Sequence, residues 1–67
     1  MRLDQIQNKA VGEFVGCPSD RGDPQYTGQI EHISSVICYA GQVPYLWVTV
    51  RRPHGGHSSV WPSNRLG

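Results

Sequence analysis

Three groups of residues in this chain have chemistry to offer, and the histidines are the first. His54 and His57, separated by Gly55-Gly56, bring two imidazole nitrogens close together, with His32 or Cys17 as distant further donors. Zinc requires three or four ligands in a tetrahedral set and no second close-spaced pair is present, so neither a metal site nor a cofactor is expected. The two histidines read instead as loop residues. Ser58, Ser59 and Ser63 are the second group and lie near histidines in sequence. No nucleophile elbow surrounds them, and the chain from residue 33 onward has no carboxylate side chain to complete a triad. A protein without enzymatic activity is therefore expected. Arg21-Gly22-Asp23 spells an adhesion tripeptide, but turn preference alone produces such a triplet in a Gly/Pro/Asp loop.

The third group is aromatic and cationic. Pro44 and Pro53 bracket a run of β-branched, aromatic and aliphatic residues that reads as a strand with a sharp start and stop. Successive strand side chains point to opposite sides, so Leu46, Val48 and Val50 form a core face while Tyr45, Trp47, Thr49 and Arg51 form the other. Tyr45, Trp47 and Trp61 are the expected binding surface, with Arg51, Arg52 and Arg65 at its rim. Aromatic residues and arginine concentrate at interface centres, which favours a protein or peptide partner, for instance an extended proline-rich segment. The same rings could stack on unpaired bases while the arginines steer phosphates, so a nucleic-acid accessory role is the alternative. Two further readings stay open. One tryptophan could cap the end of the fold while the other packs on the N-terminal arm, or the face could be buried against a second copy of the chain.

The elements that must position these residues are short. Residues 1–9, with Leu3 and Ile6 at helical spacing and Asp4 as a candidate cap, read as a flexible arm, since a helix this short is marginal without docking. Ala10–Val15, with Gly12 inside it and Gly16 following, suits a strand with a bulge. Gly16–Gln25 is a loop by its turn chemistry. Tyr26–Ile33 is a strand with Tyr26, Gly28 and Ile30 inward, and Val36–Ala40 is a third, with Cys38 in the core. Gly41–Pro44 leads into the strand already described. His54–His57 is a tight connection, and Ser58–Trp61 is a fifth strand. Pro62–Leu66 reads as a single helical turn that returns Leu66 to the core. Five short strands without a long helix imply an all-β fold, and closing into a small five-stranded SH3-like barrel removes its exposed edges. Residues 10–67 form that single domain.

Composition narrows the class. At 67 residues a chain buries only ~60% of its unfolded surface, so stability is thin. No apolar run reaches the ~20 residues of a membrane span and no signal-peptide pattern opens the chain, so a soluble, cytoplasmic protein with two reduced thiols is expected. The overall charge of +1 hides an asymmetry: residues 1–32 carry three basic and five acidic side chains, whereas residues 33–67 carry three arginines and no acid. A basic half of this kind suits an anionic partner.

Gly12-Glu13-Phe14-Val15, Thr27-Gly28-Gln29-Ile30, Tyr45-Leu46-Trp47-Val48, His54-Gly55-Gly56 and Ser59-Val60-Trp61-Pro62 with Leu66 together resemble the strand series of the plasmid-borne type II dihydrofolate reductases. The resemblance spans roughly residues 12–66. It implies an SH3-like barrel, tetrameric assembly around a central pore and an origin on a mobile element. Reductase activity would need that family's Val-Gln-Ile-Tyr pore motif, but here Val60 is followed by Trp61 and Pro62, and Gly16-Cys17 replace the basic residues after the first strand. No catalytic residue is carried over, and a divergent reductase-like protein is the third functional reading.

Overall fold

The computed structural model describes residues 2–19, 24–53 and 56–67. In chain order these residues form a helix, α1 (Leu3–Gln7), four strands, β1 (Phe14–Cys17), β2 (Tyr26–Ile33), β3 (Trp47–Arg51) and β4 (Ser58–Pro62), and a 3-10 turn (Ser63–Arg65). The strands make one antiparallel meander in the order β1-β2-β3-β4. The fold is thus mostly β. Among the described residues the sheet is open, with β1 and β4 at its edges, where a closed five-stranded barrel was expected. The C-terminal end reaches β1 at one point, where Gly67 N–H donates to the Gly16 carbonyl at 3.1 Å.

The fifth expected strand is where sequence and structure diverge. In Val36–Ala40 only Ile37 pairs, in an isolated bridge with Tyr45 (2.6 and 2.9 Å). Beyond it, Gln42 N–H closes a turn onto the Tyr39 carbonyl, with Gly41 at φ +79° in the turn's third position, where a positive φ is needed. Ser34 shapes the departure from β2, because its hydroxyl accepts the Trp47 N–H at 2.8 Å while its own N–H donates to the Trp47 carbonyl. A side chain there does the work of a ladder partner. Cys38 is consequently exposed, not in the core.

The core lies on one side of the sheet. Val15, Cys17, Ile30, Leu46, Val48, Val50, Trp61 and Leu66 are buried there, joined by Ile6 from α1, which is 0% exposed. The first nine residues, expected to be a loose arm, therefore include a docked helix. Arg2, not Asp4, is its N-cap, and the Arg2 N–H donates to Gln5 Oε1 at 2.9 Å. A five-residue helix is unstable alone, so packing of Ile6 and Leu3 on the core, beside the 3-10 turn, supplies what local hydrogen bonds cannot. Leu66 returns to the core as expected, with Pro62 serving as the cap before the 3-10 turn.

Two bulges set which side chains face outward. At the first, Gly12 N–H donates to the Ile30 carbonyl while Ile30 N–H donates to Glu13, so two residues oppose one, with Gly12 at φ +101°. At the second, β2 pairs Ile30 with Val50 but His32 with Thr49, leaving Glu31 as the extra residue. Glu31 and His32 are both exposed as a result, and Ile33 turns back toward the core.

Candidate binding surfaces

The six candidate residues divide between the two sides of the sheet. Tyr45 and Trp47 stand together outside, with ring centroids 5.4 Å apart and planes at 85°, an edge-to-face pair. Trp47 is 38% exposed even though its backbone is held at both ends of the bridge to Ser34. Its cross-strand neighbour on β4 is Pro62, and the next outward pair is Thr49 with Val60, itself 55% exposed. Trp47, Pro62, Val60 and Thr49 therefore form one apolar strip on the outer face of β3 and β4, with Tyr45 set against its end.

Arg51 borders this strip within a polar network. Its Nε lies 3.7 Å from Glu31 Oε1, and the other Glu31 oxygen accepts the Ser58 hydroxyl at 2.9 Å. The bulge at Glu31 is what brings that carboxylate beside the basic half of the chain, a placement 27 residues of separation hide from the sequence. Phe14 stands alone on the same outer face near the far edge, opposite Gln29 and in the row that continues to Arg51 and Ser58.

Trp61, Arg52 and Arg65 do not join that face, which corrects their assignment to it. Trp61 pairs with Val48 in the β3–β4 register, shares its inward side and is 7% exposed. Its indole N–H donates to Tyr26 Oη at 2.9 Å. Arg65 Cζ sits 5.4 Å from the Trp61 ring and Arg52 Cζ sits 4.8 Å from the Tyr26 ring, so each of two hydrogen-bonded rings carries a cation. Arg52 Nε also donates to Ser59 Oγ at 3.2 Å. Tyr26, read from the sequence only as an inward side chain, organises this second cluster.

Cys17 lies beneath it. Burial pushes its thiol up from the ordinary value, against weaker opposing pulls from the Tyr26 hydroxyl, the Gly28 amide and the Arg52 charge. Next to Cys17 a cleft of about 520 Å³ opens between the start of β2 and the 3-10 turn, lined by Gln25, Tyr26, Thr27 and Arg65.

Among the described residues no three of His, Cys, Asp and Glu gather as metal ligands. His32 stands on the outer face and Cys17 in the core, on opposite sides of the sheet. His54, and with it the proposed histidine pair, lies outside the described residues, as does Arg21-Gly22-Asp23. The serines near the histidines are engaged elsewhere: Ser58 on Glu31, Ser59 on Arg52, and buried Ser63 accepting the Leu46 N–H at 3.2 Å. No described helix is long and apolar enough to cross a membrane. Compared with known proteins, the chain matches no family model, no curated protein and no solved structure.

Proposed function

We propose that this chain is a small non-enzymatic binding module that takes a protein or peptide partner on the outer face of β3 and β4. Tyr45 and Trp47 form the centre, Val60 and Pro62 extend it, and Arg51 stands at its rim. The observation that carries this reading is the perpendicular pair of a half-buried Tyr45 and a 38% exposed Trp47 beside an apolar strip. Two rings at 85° make an open notch for a flat apolar side chain such as proline, and rigid aromatics lose little conformational entropy on contact. Nucleic-acid binding on the same face has weaker support, because the Arg51 guanidinium already faces Glu31. The open sheet reads as an SH3-like barrel, with the Gly67–Gly16 bond as the support for closure between the C-terminal end and β1. Two free cysteines are in keeping with a cytoplasmic setting.

Sedimentation velocity on wild type and Trp47→Ala tests the use of this face. A monomer in both leaves the face open to another protein, while a dimer that dissociates in Trp47→Ala makes its partner a second copy. An assembly of the wild type that survives Trp47→Ala unchanged would place self-association elsewhere and contradict this use of the strip.

A further inference from the structure

The second cluster has features the outer face lacks. Arg65 is the one charged side chain among the described residues lining the 520 Å³ cleft, and no described carboxylate pairs with it; the ion pairs among the described residues are Arg2–Asp4 and Arg51–Glu31. The Arg65 guanidinium rests over the Trp61 ring. A stacked guanidinium has its face occupied but keeps its in-plane N–H donors, the fork that fits a carboxylate or phosphate edge. Around it the cleft offers the side-chain amide of Gln25, an exposed residue of its wall. A second cation, Arg52, stands over the Tyr26 ring that forms the cleft wall, raising the local positive potential.

We infer that this cleft is an oxyanion site, in which Arg65 holds the phosphate or carboxylate group of a ligand in a bidentate pair and Gln25 supplies a further donor. Trp61 serves two roles there. It is the platform that fixes the Arg65 plane, and its own N–H is satisfied by Tyr26, so the platform is held without drawing on the ligand. The site is on the other side of the sheet from Tyr45 and Trp47 and stands or falls independently of the outer-face reading.

Trp61 makes the site measurable. The chain has two tryptophans, so Trp47→Phe leaves Trp61 as the single indole reporter directly beneath Arg65. In that background, inorganic phosphate and acetate are titrated separately at constant ionic strength set with chloride. A saturable change in Trp61 fluorescence is expected with at least one oxyanion, weakened ten-fold or more in Arg65→Gln and partly retained in Arg65→Lys. Saturation by phosphate, by acetate or by both supports the site and identifies the group it takes. Amide chemical shifts in the wild type provide the second readout, with the largest changes expected at Cys17, Gln25, Thr27 and Arg65. No saturable response to either anion, or one that persists in Arg65→Gln, overturns the inference.

Discussion

The indole N–H of Trp61 donates to the phenolic oxygen of Tyr26 at 2.9 Å across 35 residues of sequence, tying the first residue of β2 to the edge strand β4. Removing only the acceptor isolates that bond. Tyr26→Phe keeps the ring under Arg52 but leaves a buried donor unsatisfied, which costs about 1–3 kcal/mol. In a domain of this size each kcal/mol lowers Tm by about 4–8 °C. Thermal denaturation in which Tyr26→Phe melts with the wild type would show that the bond contributes nothing.

Ile6 is the buried side chain of α1, with Leu3 packed partly buried beside the core. Ile6 is 0% exposed, so Ile6→Ala opens a cavity and should destabilise by about 2–4 kcal/mol. A free arm would make the same change silent. Urea denaturation decides, and a midpoint unchanged from the wild type would return residues 3–7 to the loose state their length suggests.

Gly28 is required by close packing. A Cβ there would lie 3.0 Å from Val50 Cβ and 3.3 Å from both the Arg51 carbonyl and Cys17 Sγ. Gly28→Ala is expected to cost about 1–3 kcal/mol through overpacking, because neither a backbone oxygen nor a Cβ can swing aside. Equal stability of Gly28→Ala and wild type in urea would contradict the β1–β2–β3 packing.

Much of this was legible where neighbours in sequence decide the outcome. Leu46, Val48 and Val50 declare the core face of β3 by alternation, Gly12 declares a bulge, and Leu66 follows from the turn that Pro62 starts. Trp61 was not legible. Ser58-Ser59-Val60-Trp61 has one apolar residue on each face, so only the pairing of Trp61 with Val48 determines which side is inward. Cys38 and the Val36–Ala40 run failed for a related reason, since an apolar stretch becomes a strand only if a partner lies alongside, and here the partner is Tyr45 alone. The division of the six candidates into an outer pair with Arg51 and an inner Arg–aromatic cluster likewise depends on register, which local patterning does not contain.

Cys17 links the core to pH. Burial raises its thiol above the ordinary value of 9.0, so the folded state holds this proton more tightly than the unfolded chain does. Its contribution is fully present below that value and is lost as pH rises toward the folded-state value. The stability of wild type relative to Cys17→Ala should therefore fall on alkalisation above pH 9 under reducing conditions. A difference that stays constant with pH would contradict the burial of the thiol.

Trp47 is the residue on which the proposed function turns. Its ring leans on Tyr45 and is 38% exposed, so Trp47→Ala should cost the fold less than the ~3–5 kcal/mol of truncating a fully buried tryptophan. An aromatic anchor at the centre of an interface contributes about 2 kcal/mol or more to binding, some thirty-fold in Kd. The direct measurement is the Kd of wild type, Trp47→Ala and Arg65→Gln for one protein or peptide ligand captured by the wild type. Binding weakened about thirty-fold by Trp47→Ala and unchanged by Arg65→Gln is the expected result, whereas a folded Trp47→Ala variant that binds as tightly as the wild type would contradict a partner site on the outer face of β3 and β4.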